Sequence, residues 1–407
     1  MTGEHLIDSR AAWIRLAAVV ALATVGGVGM WSVVVVLPHV QAEFGATRAG
    51  ASLPYTLTML GFGAGGILMG RLADRFGVMV PLLGGTVMLS LGYMAAAMAP
   101  SLAVFAIVQG VLIGFLGSSA AFGPLMADAS LWFRRRRGIA VALAASGNYV
   151  AGAFWPPVLT WLIAEHGWRT AHVVIGAICL VTMLPLSLLL RARPPGSRGG
   201  APLPADRGAE RPLGLSRNGL TAVLAVAGIG CCVAMAMPQV HIVAYCGDLG
   251  YGVARGAEML SLMLACGIVS RLASGIIADR IGGLATVLLG SVLQMFSLTL
   301  FLFFDGLASL YVLSALFGLV QGGIIPSYAV TLREHMPARE VGTRVGIVLF
   351  ATLIGMALGG WLSGLVFDLT GSYFAAFLNG VAWNAANVAI IATLLIRARR
   401  QRPLAAA

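Results

Sequence analysis

Arg271 is the single charge in a twenty-residue apolar run, MLSLMLACGIVSRLASGIIA, residues 259–278. A guanidinium cannot shed its proton at any physiological pH. Holding one in the middle of an apolar helix costs about 2.5–3.5 kcal/mol on insertion scales. Its planar fork can grip a carboxylate through two parallel hydrogen bonds, so an organic anion is the expected partner. A side chain tucked against backbone carbonyls, or snorkelling to the membrane surface, is the competing reading. Other polar groups interrupt apolar runs at Asn148, Tyr149, Gln321, Tyr328 and His241, and these are candidate substrate-binding helpers. Each could equally make an interhelical hydrogen bond. Cys231 and Cys232 are adjacent and, with Cys179, Cys246 and Cys266, show no metal-ligand spacing. A soft-metal or arsenical site and a pair of small packing residues both fit them. There is no HExxH, no GxSxG with partners and no phosphate-cradling loop. An enzyme, a catalytic residue, a resident metal and a cofactor are therefore not expected.

The elements that must position Arg271 are membrane spans. The chain is 59% hydrophobic and 10% charged, with mean hydropathy +0.92, outside the range of soluble domains. Apolar runs against breakers predict an all-α integral membrane protein with twelve transmembrane helices. Their limits fall near 14–37, 50–70, 78–98, 102–129, 138–164, 170–190, 220–245, 257–278, 284–304, 308–332, 345–367 and 372–396. The first run is too long for a signal-peptide core and leads straight into further spans, so it is read as a span. All 26 basic residues are arginine, and with both termini inside only Arg48, Arg169 and Arg255 fall outside. That asymmetry is the positive-inside rule. The formal charge of +11 is then topology, and no nucleic-acid partner is needed to explain it. The expected setting is a plasma membrane, of the bacterial inner-membrane kind.

Residues 191–219 are rich in Pro, Gly and Arg and lack apolar periodicity, so they read as a cytoplasmic linker. They divide a six-helix half, 1–190, from a second one, 220–396, followed by a cytoplasmic tail at 397–407. The halves echo each other. GRLADRFG at 70–77 and SGIIADRIG at 274–282 each follow the second helix of a half, and Asp74 lies 205 residues before Asp279. Such pseudo-symmetric halves suit a two-domain rocking transporter.

Over nearly the whole chain, the twelve spans, the central linker and the duplicated loop resemble the major facilitator superfamily. The resemblance implies conformational latches: Asp74 against the start of the eleventh helix and Arg75 against Asp128, with Asp279 and Arg280 as a degenerate second copy. Within that superfamily, WFRRRRGIAVALAASGN (132–148) and GWRTAHVVIGA (167–177) resemble the monocarboxylate transporters and the related oxalate/formate antiporters. The four arginines 134–137 also serve as an inner-surface anchor. SRLASGIIADRIG (270–282) is similar to the eighth helix of that group, whose arginine binds the substrate carboxylate, and Arg271 falls on that position.

Three departures shape the expectation. Thr352 stands where the oxalate antiporters place a second cation, so one fixed charge favours a monoanion. Gly267 stands where the animal monocarboxylate transporters carry an acid, and the span around Val33–Val36 lacks their lysine. Glu258, Asp128, His241 or the substrate acid itself are left as proton-coupling candidates. The expected function is a secondary transporter for a small, lactate- or pyruvate-like monocarboxylate. It would act as a monomer by rocker-switch alternating access, with a proton. An exporter of drugs, toxic metabolites or organoarsenicals, and an anion exchanger, are the alternatives; a solute receptor is disfavoured because no signalling domain is attached.

Overall fold

The computed structural model describes residues 7–133, 135–192 and 212–401, and its described elements are helices. In chain order they are α1 (Arg10–Gly26), α2 (Val28–Phe44), α3 (Arg48–Phe76), α4 (Met79–Ala97), α5 (Leu102–Val108), α6 (Gly123–Leu131) and α7 (Arg137–Leu188). Then follow α8 (Arg217–Asp248), α9 (Val253–Ile281), α10 (Gly283–Leu300), α11 (Leu307–Gln321), α12 (Ile324–His335), α13 (Ala338–Thr370) and α14 (Tyr373–Gln401). Arg134, most of the expected linker and the last residues of the tail, 402–407, lie outside the described residues.

Eleven helical stretches are long and apolar enough to cross a membrane. They carry twelve crossings, because α7 holds two. Its chain turns at Gly167, where φ is 77° and ψ 159°, a conformation closed to residues with a Cβ. The expected fifth and sixth spans therefore meet at a glycine corner with almost no loop. The first span is α1 and α2 together, jointed at Gly27. Local chemistry sets the starts. Ser9 caps α1 through Ala12 N, Thr47 caps α3 through Gly50 N, and Ser101 caps α5 through Val104 N.

Two spans are irregular at matching places. The fourth passes from α5 through a π-helical stretch, Gln109–Gly117, and a 3-10 turn, Ser118–Ala121, before α6. The tenth breaks between α11 and α12 at Gly322 and Gly323. Deviations of this kind inside a membrane need neighbouring groups to satisfy the released backbone.

The chain packs as two compact units. One comprises Met1–Gly200 with Ile242–Ala265, and the other Ala201–His241 with Cys266–Ala407. The C-terminal end of α8 and the N-terminal end of α9 thus belong with the first six spans. Within that unit Arg48, only 7% exposed, donates to Asp248 at 2.6 Å, and Ser261 Oγ donates to the Ala153 carbonyl. Leu264 fills the notch that Gly152 leaves beside Trp31. Glycine-rich faces pack inside the units: Gly61 and Gly65 lie on the π-helical backbone of the fourth span, and Gly355 and Gly359 on Ile229 and Val233 of α8.

Candidate functional site

Arg271 sits on α9 in the second unit, half-buried, and its Nε donates to the carbonyl of Gly322 at 3.3 Å. That carbonyl lies where the tenth span is interrupted. The sequence explains the break. Gly322 and Gly323 have weak helix propensity, and Pro326 lacks an N–H in the first turn of α12. Tertiary packing requires glycine there as well. A Cβ on Gly322 would strike the Gly267 carbonyl and come within 3.0 Å of Ser270 Cβ, while one on Gly323 would strike Ser274. The backbones of α9 and the broken helix are thereby pressed together at the level of the guanidinium. Gly323 precedes α12 without a side-chain hydrogen bond, and both glycines keep near-helical backbone angles, so the interruption is a local distortion of one continuous span.

Gln321, the last residue of α11, is fully buried and accepts a 2.7 Å hydrogen bond at Oε1 from Nε2 of Gln239 on α8. Its own Nε2 has no hydrogen-bond partner among the described residues. Thr352, buried on α13, returns its hydroxyl to the Leu349 carbonyl at 2.7 Å. The other candidates of this unit are engaged elsewhere. His241 Nε2 donates to the Gly360 carbonyl at 2.8 Å, which ties α8 to α13. Tyr328 donates to Asn387 Oδ1 at 2.8 Å. Asn387 in turn donates to Ser291 Oγ, and Asn384 donates to the Ser291 carbonyl. This buried network locks α10, α12 and α14 together, and Tyr328 belongs to it. Cys231 and Cys232 are fully buried, and Cys231 exchanges hydrogen bonds with Gln294: Sγ to Oε1 at 3.5 Å and Nε2 to the Cys231 carbonyl at 3.2 Å.

Asn148 and Tyr149 lie in the other unit, on α7. The Asn148 carbonyl accepts from Trp31 Nε1 at 3.1 Å, while its buried Oδ1 has no hydrogen-bond partner among the described residues; Tyr149 is buried. The structure therefore brings Arg271 and Gln321 to one helix break, and it places Tyr328 and His241 in packing contacts of the same unit.

The expected pairing of Arg75 with Asp128 is replaced by another. Asp128, 5% exposed, receives both Nε (2.8 Å) and Nη2 (2.9 Å) of Arg15, a fork-to-fork ion pair. Arg15 also donates to the Leu190 carbonyl at 3.1 Å and lies over the Trp132 ring at 4.5 Å. Proximity decides this: α1 packs against α6 and α7, whereas Arg75 is exposed and lies over Phe76. Asp74, Asp279 and Arg280 are exposed at the helix ends. In the second unit Glu334 performs the analogous task with backbone, accepting from Gly283 N at 2.9 and 3.1 Å. Glu258 forms an exposed ion pair with Arg255 at 3.0 Å, three residues away on α9.

Sequence reasoning missed Arg15 and Gln239. Arg15 reads as one more inner-surface arginine, and only the unmatched acid Asp128 hinted at a buried partner. Gln239 follows Pro238 in an apolar run, the same signal that drew attention to Gln321.

Comparison with known proteins agrees with this architecture. The chain is 29% identical to monocarboxylate transporter 13 of Bos taurus, over 79% of this chain and 75% of that protein. It is 32% identical to monocarboxylate transporter 11 of Mus musculus, over 75% and 70%. It is also 28% identical to an MFS-type transporter, YcxA, of Bacillus subtilis, over 83% of each. A crystal structure of the nucleoside transporter NupG superposes with a TM-score of 0.71 at 15% identity, covering 94% of this chain and 99% of that one. A bacterial homolog of the human lysosomal transporter Spinster, inward-facing and occupied, gives 0.70 at 16%, covering 94% and 96%. The sequence pattern of the Major Facilitator Superfamily matches residues 19–306 and again 259–406. The chain therefore belongs to the Major Facilitator Superfamily: it is a multi-pass membrane transporter and not an enzyme.

Proposed function

We propose that the protein carries a small organic monoanion of the monocarboxylate class across the membrane by alternating access, with Arg271 as the carboxylate anchor. The carrying observation is the placement of Arg271. It is the one charge of its apolar run, half-buried, and its Nε donates to the Gly322 carbonyl at the interruption of the tenth span. A guanidinium held within an apolar span is a binding group for a carboxylate. Thr352, buried and bonded to its own helix, adds no second cation, which favours a monoanion over a dianion. The monocarboxylate transporters among its relatives support the same substrate class. A proton is the proposed co-substrate. Glu258 and Asp128 are both ion-paired and His241 bonds a helix carbonyl.

The test is uptake by purified protein in proteoliposomes, with a panel of mono- and dicarboxylates, with and without an imposed pH gradient. Arg271→Ala and Arg271→Lys should each lower monocarboxylate uptake about 100-fold while leaving folded protein, because lysine lacks the bidentate fork. Substantial uptake by the alanine variant would overturn the anchor role.

A further inference from the structure

We infer that Gln321, oriented by Gln239, is a second substrate-binding arm beside Arg271, and that it selects anions carrying an acceptor oxygen in addition to the carboxylate. This rests on the carboxylate reading of Arg271 and adds to it the pair of residues that discriminates among carboxylates.

The argument starts from a hydrogen-bond deficit. Gln321 and Gln239 are 0% and 2% exposed. A buried primary amide has two donors and an oxygen acceptor to satisfy. The Gln321 oxygen is engaged by Gln239 at 2.7 Å, while both N–H groups on its Nε2 lack an acceptor among the described residues. Buried polar groups are seldom left so, because the desolvation cost is not offset. Gln239 sets the polarity of the arrangement: by donating to the Gln321 oxygen, it leaves the Gln321 nitrogen as the unsatisfied end.

Location supplies the rest. Gln321 ends α11, and the next residue gives its carbonyl to the Arg271 guanidinium. One step further, α12 starts with no side-chain cap. A guanidinium bonded to Gly322 and, on the residue before it, an unsatisfied amide donor thus belong to one interruption of one span, both offering N–H groups. An anion whose carboxylate lies on Arg271 brings its neighbouring atoms toward Gln321. An oxygen there satisfies the orphaned donor, and a methylene leaves it buried and unpaired.

The experiment measures KM for proton-driven uptake of four three-carbon acids in proteoliposomes: propanoate, 2-chloropropanoate, 2-hydroxypropanoate and 2-oxopropanoate. Chlorine matches the size of the substituent but accepts hydrogen bonds poorly. Wild-type protein should show KM values for the hydroxy and oxo acids lower by about tenfold or more than those for the other two. Gln321→Met, which keeps the length and removes the donor, should bring the four KM values to within about twofold while propanoate uptake continues. Gln239→Met should fall between. A wild-type protein without the preference overturns the inference, as does a Gln321→Met protein that retains it; the amide pair would then be a tie between α8 and α11. Preference for the hydroxy acid alone overturns the donor assignment, since the oxo group can only accept. Uptake of none of the four by wild type overturns the carboxylate reading and this inference with it, whereas uptake of all four without discrimination overturns only the role of Gln321.

Discussion

Arg15 and Arg271 are both arginines withdrawn from water, and they are held in different ways. Arg15 is 6% exposed and is engaged by a bidentate carboxylate, a backbone carbonyl and an indole face. All its partners belong to the same unit, so it works as a fixed clamp joining α1, the end of α6 and the end of α7. Arg271 is half-buried, and its Nε donates to the Gly322 carbonyl at 3.3 Å, longer than the 2.8, 2.9 and 3.1 Å hydrogen bonds of Arg15. On the proposed function, the difference between the two sites separates a cation that builds the protein from one that serves its cargo.

That contrast can be broken or sharpened by substitution. The largest effect is expected at the clamp. Arg15→Ala or Asp128→Asn leaves one buried charge without its partner and should destabilise the protein by about 3–5 kcal/mol, read as a lowered Tm in detergent or as lost folded protein. The double variant Arg15→Met/Asp128→Leu should recover most of that loss, since apolar replacements of similar volume often substitute for a buried pair. Arg271→Lys should give the opposite pattern: a Tm close to wild type, with the roughly 100-fold loss of uptake described above. Equal thermal damage at both sites would remove the distinction. A smaller effect is expected at Glu334, the counterpart of Asp128 that caps the N-terminus of α10. Glu334→Gln should cost about 0.3–1 kcal/mol, because an exposed carboxylate at a helix end contributes little. The smallest is expected at the thiols. With Cys231 and Cys232 fully buried and Cys231 bonded to Gln294, Cys231→Ala/Cys232→Ala should leave carboxylate uptake within about twofold and confer no arsenical sensitivity in a survival assay. A clear loss of resistance would instead favour a thiol-based exporter.

The membrane architecture was legible in the sequence because hydropathy acts locally. The twelve crossings, and the glycines at the ends of α3 and α9, follow from composition and from backbone conformations that only glycine adopts readily. Gly77 and Gly282 have φ of 85° and 84°, so the repeated loop is repeated in geometry as well. Arg271 was legible for the same reason: one charge among apolar neighbours needs no alignment to be noticed. The partner of Asp128 was not. Arg15 and Asp128 are 113 residues apart, and choosing Arg15 over Arg75 depends on how α1 packs on α6. The polar residues of the second unit were visible as a set, but their sorting was hidden. Tyr328 is drawn into the Asn387–Ser291 network, His241 onto Gly360, and Gln321 remains beside Arg271 with an unsatisfied amide. Nothing in a one-dimensional pattern says which of several buried hydrogen-bonding groups face each other.

By itself the sequence determined that this chain is a helical membrane protein with a duplicated loop after the second helix of each half and a lone charge, Arg271, in the run 259–278. Those properties depend on transfer of side chains out of water and on single-residue backbone limits, which neighbours in the chain already fix. Only the tertiary structure decided that the tenth span breaks beside that arginine, that Gln239 orients Gln321 there, and that Arg15 neutralises Asp128. Those outcomes depend on the competition of many donors for few acceptors in a dry interior, and close packing of distant helices settles that competition.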